Sequence, residues 1–242
     1  MLREALIGSA AYLVYWLTAV AVLLCARRLF GLGGELFRKL LHIIVASSVF
    51  VLLNVFDTWW LAALAPVGFG AAVYLVIGWA ERIPRVMRIL EERKPGEIRS
   101  SLSLIFFTLA TLIALGWGWL GPESKYMVSM PVMMWGLGDA AAALIGKKWG
   151  RRKITHPWVD NSKTVEGVGA MLVFAAAAGS ITLLAYSQWS WYLCVLVGIA
   201  VAPVAAVTEL VSRGGIDTLT VPFATFAALL VVVKALTFAS VL

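Results

Sequence analysis

Residues 126–150 read YMVSMPVMMWGLGDAAAALIGKKWG. From Tyr126 to Gly146 this stretch contains a single charged residue, Asp139, and Lys147 and Lys148 follow directly. About 20 apolar residues are enough for an α-helix to cross the hydrocarbon layer of a membrane. Inside lipid every backbone N–H needs a partner in its own segment, and a helix of this length supplies one. The stretch therefore predicts a transmembrane helix with a basic end.

The rest of the chain has the same character. Of its 242 residues 62% are apolar and 14% are charged, whereas soluble domains keep about a quarter of their residues charged. The apolar blocks lie near Leu6–Ala26, Leu40–Phe56, Trp59–Ala80, Leu102–Leu120, Tyr126–Gly146, Val168–Ser187, Trp189–Leu210 and Leu219–Leu242. We therefore predict an all-α, polytopic transmembrane bundle of about eight spans, forming one membrane domain over residues 1–242.

The positive charges lie in alternate connections between these blocks. The connections near 27–39, 81–101, 147–166 and 209–217 hold four, six, six and one Lys or Arg, and the opposite side holds Arg3 and Lys125. By the positive-inside rule these four connections are cytoplasmic, and both termini lie on the non-cytoplasmic side. The net charge of +7 is thus a topology signal. No soluble basic domain is present to bind nucleic acid, so the expected surroundings are the lipid bilayer.

Asp139 is the acid that lies deepest within a block. An ionised carboxylate at mid-helix costs about 2.5–3.5 kcal/mol on insertion scales, so one that is kept there usually has a function. Gly136, Asp139, Ala140, Ala143 and Gly146 share one helical face. That face could serve tight helix packing, with Asp139 bonded to a neighbour. It could also be a cavity wall that a ligand approaches, and the basic residues at its end favour this second interpretation.

A second polar stripe leads into the second span. Glu35, Arg38, Lys39 and His42 are spaced so that they lie on one helical face. A basic flank that fixes topology accounts for Arg38 and Lys39, but it does not account for a histidine one turn deeper. Taken alone, this stripe leaves the topological and the functional interpretations equally open.

Acidic and basic residues also lie near the beginnings of later spans. Lys163 and Glu166 stand one turn apart before the sixth span, where a carboxylate at a helix N-terminus stabilises by about 0.3–1 kcal/mol whatever the function. The last basic connection contains Glu209, a Gly214–Gly215 turn and Asp217. Cations neutralise a polyphosphate and carboxylates bind Mg²⁺, so this combination of basic and acidic residues suits phosphoryl transfer. The P-loop motif and the protein-kinase motifs are absent from the sequence.

Four segments of the chain together carry a family resemblance. They are ELFRKLLH at 35–42, GDAAAALIGKKWG at 138–150, KTVEG at 163–167 and DTLTVP at 217–222. Each is weak alone, but in this order and on one predicted membrane face the set resembles the diacylglycerol/polyprenol kinase family. That family includes dolichol kinase, phytol kinase and the CTP-dependent diacylglycerol kinase. One departure is Thr218, which stands where the family usually has Asn.

The resemblance implies a membrane enzyme with a cytoplasmic active face. It would transfer the γ-phosphoryl group of a nucleoside triphosphate, typically CTP, to the hydroxyl of a lipid alcohol, with Mg²⁺ or another divalent cation. On this basis we expect Asp139, Lys163 and Glu166 to be catalytic, Arg38, Lys39, His42, Gly146 and Lys147 to bind the nucleotide, and Asp139, Glu166 and Asp217 to bind the metal. A structural hydrogen bond between helices accounts for His42 equally well. Asp139 would either bind the metal or accept the proton of the lipid hydroxyl, and Gly146 would let backbone approach the nucleotide.

Two other functions compete with this interpretation. A phosphatidate cytidylyltransferase also uses CTP, but its His-Gly-Gly run followed by paired aspartates is missing here. A lipid transporter or flippase could use Asp139 as a coupling site, although the paired halves common in transporters are not visible. The sequence does not select among a polyprenol, a phytol- or farnesol-type isoprenoid and diacylglycerol as the alcohol. It also leaves a homo-oligomer open.

Overall fold

The computed structural model describes residues 1–82 and 97–240. Within these residues eight helices are long and apolar enough to cross a membrane, which confirms the all-α bundle. The α-helices that form these spans are α1 (Leu2–Phe30), α2 (Gly34–Val55), α3 (Trp59–Ala80), α4 (Glu97–Ile113), α5 (Tyr126–Trp149), α6 (Val165–Tyr186), α7 (Trp191–Val211) and α8 (Asp217–Phe238). A π-helix, Ala114–Trp119, continues α4, and a short 3₁₀ helix, Pro122–Ser124, precedes α5. The chain is therefore an integral membrane protein.

Several helices extend past the apolar blocks that predicted them. Helix α2 begins at Gly34, so Glu35, Arg38 and Lys39 are helical, as their spacing predicted. Helix α5 likewise includes Lys147 and Lys148 in its last turn. The apolar count measures only the hydrocarbon layer, whereas a helix continues into the headgroup region for as long as its backbone bonds are made.

The short connections that the structure describes have defined turns. Residues 31–33, 150–164 and 212–216 link successive helices, and Gly214 and Gly215 adopt left-handed φ angles of 66° and 83°. Glycine is favoured there because it has no Cβ to clash in that conformation. Most of the predicted connection near 81–101 lies outside the described residues. The side of the membrane on which each connection lies stays a prediction.

The chain divides into two compact units, of which the first is Met1–Ala114. Its core is a cluster of aromatic rings from three helices. The ring of Phe69 in α3 stacks on Trp16 of α1 with a centroid distance of 5.2 Å and meets Phe106 of α4 at 5.6 Å. Tyr12 adds a hydrogen bond to Ser48 of α2, 3.2 Å between the two hydroxyl oxygens. These contacts hold α1 to α4 together.

The second unit, Leu115–Leu242, is built around α5. Helix α6 packs along α5, α7 packs along α6, and α8 contacts both α7 and α5. As a result 78% of the most apolar 18 residues of the span containing α5 are buried within the protein. Six of the predicted site residues belong to this unit: Asp139, Gly146, Lys147, Lys163, Glu166 and Asp217. The single membrane domain over residues 1–242 stays a prediction.

Candidate active site

Asp139 lies inside the second unit, on the central helix. It is only 6% exposed, and its neighbours Gly136 and Ala140 are also buried. A Cβ built on Gly138 would come within 2.5 Å of the sulfur of Met171 in α6. The small residues of this part of α5 therefore do serve close helix packing. The packing leaves a carboxylate enclosed by protein where α5 approaches its basic end.

Helices α5 and α6 also approach each other closely where the predicted Gly146 lies. A Cβ on Gly146 would stand 3.0 Å from the Thr164 hydroxyl oxygen and 3.5 Å from the Cα of Gly167. Thr164 is also the N-cap of α6 and accepts a hydrogen bond from the Gly167 N–H at 3.1 Å. Helix packing thus accounts for glycine at position 146, and its role in nucleotide binding stays a prediction.

The backbone of Lys163 is fixed by the connection in which it lies. Its N–H donates to the carbonyl of Asp160 at 2.9 Å, and its carbonyl accepts from the N–H of Ile154 at 3.0 Å. Asp160 in turn accepts a hydrogen bond from the Ser162 N–H at 2.8 Å. Hydrogen bonds from the backbone and side chain of Ser162 hold the pKa of the exposed Asp160 below its usual range. The position that presents Lys163 is therefore an ordered turn.

The side chain of Lys163 forms an ion pair with Glu209 of α7. The ammonium contacts one carboxylate oxygen of Glu209 and also donates to its backbone carbonyl at 3.3 Å. Glu209 is 3% exposed, whereas the lysine side chain keeps 25% of its surface accessible. Nearby, Arg213 donates to the carbonyl of Pro157, so two contacts tie the 150–164 connection to the end of α7.

Two further carboxylates face the same region. Asp139 and Asp217 lie within electrostatic range of the Glu209 carboxyl. Asp217 is the first residue of α8 and accepts a hydrogen bond from the indole N–H of Trp135, 3.4 Å away. Three acids from three helices and one lysine thus gather in the second unit. This grouping brings together three of its predicted site residues: Asp139, Lys163 and Asp217.

The predicted basic pair belongs to the first unit. Arg38 forms an ion pair with Glu35 one turn earlier, 2.6 Å between the guanidinium nitrogen and the carboxylate oxygen. Its Nε is buried and has no hydrogen-bond acceptor within residues 1–82 and 97–240. Lys39 is 5% exposed, which is uncommon for a residue that merely flanks a membrane span. His42 follows on the same helix and is half-buried.

The chain resembles a curated protein of known name. It is 31% identical over 192 residues to a protein named phytol kinase from Synechocystis sp., and the match covers 78% of this chain and 76% of that relative. The chain belongs to the polyprenol/phytol kinase family. This places it among the membrane lipid kinases. No family model matches the chain, and no solved structure matches it.

A divalent cation such as Mg²⁺ would bind at this site without a preformed protein cage. Within the described residues no group of three His, Cys, Asp or Glu side chains is close enough to hold a metal ion together. The acids near Glu209 share an electrostatic environment but do not converge on one point. Mg²⁺ commonly keeps several waters and binds through one or two carboxylates plus substrate phosphates. Asp139 and Asp217 fit that mode, in which the ion is shared with a nucleotide.

Glu166 and Lys147 are placed differently from this group. Glu166 lies in the first turn of α6 and accepts a hydrogen bond from the backbone N–H of Arg152 at 3.3 Å. The carboxylate therefore helps to close the 150–164 connection. Lys147 is exposed at the end of α5. The catalytic and metal-binding role of Glu166 and the nucleotide-binding role of Lys147 stay predictions.

Two residues of the candidate site were not among the predicted ones. Glu209 was noted only at the border between the seventh block and the last basic connection, but it lies within α7 and is more buried than Asp139. The insertion-cost argument that selected Asp139 applies to Glu209 as well, once the seventh helix is known to extend past it. Trp135 was hidden in an apolar run, and nothing in the sequence marks its indole N–H as the partner of Asp217.

Proposed function

We propose that this protein transfers the γ-phosphoryl group of CTP to the hydroxyl of an isoprenoid alcohol of the phytol or polyprenol type, using Mg²⁺. The observation that carries the proposal is the buried Asp139 grouped with Lys163, Glu209 and Asp217, in a chain similar to a phytol kinase. Buried acids in membrane helices are costly, and they concentrate where substrates or ions are handled.

The reaction needs a nucleophile, a phosphorus centre and a proton acceptor. The hydroxyl oxygen of the alcohol forms a bond to the γ-phosphorus, the bond from that phosphorus to the β–γ bridging oxygen breaks, and CDP leaves. The hydroxyl proton must pass to a base as the new bond forms. Asp139 is the proposed acceptor or, alternatively, the carboxylate that holds the divalent cation. Both roles require it to be ionised.

Catalysis of this reaction depends mainly on positioning and on neutralising the triphosphate. Lys163 is the proposed cation of the second unit, because its ammonium is held at a fixed place while remaining partly accessible. Arg38 is proposed to bind phosphate through its buried Nε–H, which has no acceptor in the described part of the chain. Lys39, His42 and Lys147 are proposed as further phosphate contacts, on the strength of the family resemblance.

The divalent cation would withdraw charge from the phosphate oxygens when bound. Asp217 is a proposed ligand because its carboxylate stands at the beginning of α8 and is oriented by Trp135. Glu166 is a second proposed ligand, again from the resemblance. The Gly146 backbone and the cytoplasmic face remain the proposed place of nucleotide entry. A lipid alcohol would reach the site from the bilayer.

The test is a product assay on detergent-purified protein. The protein is incubated with CTP, Mg²⁺ and a panel of phytol, farnesol, a long polyprenol and diacylglycerol, and both products are identified. The proposal expects a phosphorylated isoprenoid and CDP in equal amounts. ATP and GTP replace CTP in parallel reactions, which test the choice of phosphoryl donor.

Other outcomes point to other functions. Pyrophosphate with a CDP-lipid would identify a cytidylyltransferase. Absence of both nucleotide binding and turnover, together with alcohol or lipid movement in vesicles, would identify a transporter with Asp139 as its coupling site. Phosphorylated diacylglycerol as the preferred product would retain the kinase but replace the alcohol. Size-exclusion chromatography with light scattering on the same sample reports whether the enzyme is a homo-oligomer.

A further inference from the structure

Glu209 is a buried acid that none of the family-like segments contains. It lies in the last turn of α7, and Lys163 approaches it from the connection between α5 and α6, 46 residues earlier. A buried carboxylate needs a partner, and here the partner is a residue proposed to act on the nucleotide. The ion pair therefore gives the buried carboxylate its partner and also contacts a side chain that is proposed to act on the nucleotide.

We propose that Glu209 is a positioning residue that holds the Lys163 ammonium in place for the nucleotide phosphates. This inference rests on the proposed function, since it assumes that Lys163 meets the triphosphate. Glu209 itself does not touch the reacting atoms. It acts by restricting where the charge of Lys163 can be.

The geometry restrains the ammonium at two points. A lysine side chain has four rotatable bonds and, on a loop, would sample many positions in water. Here the ammonium donates to both the carboxylate and the backbone carbonyl of Glu209. That carbonyl is one of the last four of α7, which lack partners within their own helix and carry the negative end of the helix dipole. Both acceptors hold the positive charge at one end of α7.

The ion pair lies near the two other acids of the candidate site. The Glu209 carboxyl lies within electrostatic range of Asp139 and Asp217, the two acids proposed for catalysis and metal binding. Because the lysine backbone is also fixed by the Asp160 turn, both ends of the side chain are held. The ammonium stays at the site before a nucleotide arrives, so less side-chain ordering is needed on binding.

The first test is the substitution Glu209→Gln, which keeps the shape of the side chain and removes its charge. The nucleotide KM should rise about tenfold, the effect expected of one lost charge-assisted interaction, while the KM for the lipid alcohol stays unchanged. In a Lys163→Gln background the same substitution should have little further effect on the nucleotide KM. A wild-type nucleotide KM in Glu209→Gln would overturn the inference.

The second test exchanges the two charges in the double variant Lys163→Glu, Glu209→Lys. The swap preserves an ion pair but moves the positive charge from the loop to α7. If the pair only stabilises the fold, the swap restores both thermal stability and the nucleotide KM. The inference expects restored stability with a KM that stays high. Recovery of the KM in the swapped enzyme would refute the positioning role.

A third measurement does not depend on turnover, so it tests the positioning role of Glu209 even if the swapped enzyme does not fold. Amine-reactive labelling followed by mass spectrometry reports the accessibility of Lys163, with exposed Lys153 as the internal standard. Glu209→Gln should speed the labelling of Lys163 several-fold, and an unchanged rate would overturn the inference. If the proposed function itself is wrong, the wild-type protein makes no phosphorylated alcohol. That result is distinct from a failure of the positioning inference, which changes only the variants.

Discussion

The indole N–H of Trp135 donates to the carboxylate of Asp217, 3.4 Å away, and so connects the middle of α5 to the first residue of α8. Trp135 lies one turn before Asp139 on the same face of α5. The bond thus couples the helix that carries Asp139 to the segment that begins the last family-like motif. The orientation of Asp217 depends on a residue 82 positions earlier in the chain.

Trp135→Phe tests this connection, because phenylalanine keeps an aromatic ring but removes the N–H donor. A lost hydrogen bond to a charged acceptor costs about 1.5–3 kcal/mol, so we expect activity to fall at least about tenfold. Trp149→Phe, at the exposed end of the same helix, is the matched control and should change little. Equal kcat/KM values for the two variants would show that Asp217 does not need this donor.

Asp139→Asn removes the charge of the central acid and keeps its shape. The amide is a poor metal ligand and a poor proton acceptor, so turnover should fall at least about 100-fold. Membrane insertion should be unharmed, since a neutral side chain is less costly in the membrane. Glu123→Gln, at an exposed acid in the short helix before α5, serves as the control. Near-normal turnover in Asp139→Asn would make this residue a packing partner only.

Arg38→Ala and Lys39→Met test the basic pair of the first unit. Each variant should raise the nucleotide KM about tenfold through the loss of one charge-assisted contact. Methionine retains most of the buried volume of Lys39, so the folded state should persist. Arg28→Ala removes an exposed charge in the same basic connection and should leave the nucleotide KM unchanged. If all three variants behave alike, the pair is only a topology signal.

Gly150→Ala tests the junction of α5 with the 150–164 connection. An added Cβ would overlap the Gly146 carbonyl oxygen and lie 2.6 Å from the Thr164 methyl carbon. Overpacking of this kind costs about 1–3 kcal/mol, so thermal stability should fall measurably. Gly169→Ala on α6 meets no atom within 4 Å and should be neutral or slightly stabilising. If the thermal stability of Gly150→Ala is unchanged, the junction can make room for the added methyl group.

Cysteine labelling tests the predicted orientation in the membrane. In a background without Cys25 and Cys194, Lys153→Cys should react only from the cytoplasmic side, as the charge bias predicts. Gln188→Cys, in the exposed connection at the other end of α6, should react only from outside. The opposite pattern would invert the predicted topology and move the active face with it.

The sequence predicted the membrane helices well because their signal is a single physical quantity, the length of apolar chain that hydrocarbon requires. All eight blocks correspond to helices in the described structure. The spacing of Glu35 and Arg38 also predicted correctly that they share a helical face, where they form an ion pair. Helix ends were less accurate, because polar residues can extend a helix beyond the hydrocarbon layer.

The candidate site was predicted only in part, since contacts between distant segments carry no local pattern. Asp139 was found because a charge in an apolar run stands out. Glu209 was noted in the last basic connection but not selected as a site residue, because it stands at the end of the block Trp189–Leu210 and not deep within it. Its pairing with Lys163 depends on how α6 and α7 pack, and periodicity contains no information about that.

The burial of α5 has a consequence for how the protein is made. This helix has the lowest mean hydropathy of the eight candidate spans, yet the largest part of it is enclosed by protein. Its partners α6, α7 and α8 are synthesised after it, so α5 leaves the ribosome before the helices that will surround Asp139 exist. A carboxylate facing lipid costs about 2.5–3.5 kcal/mol, which disfavours early release of α5 into the bilayer. The second unit is therefore expected to leave the insertion machinery as a group, with α5 retained there until the later helices have been translated.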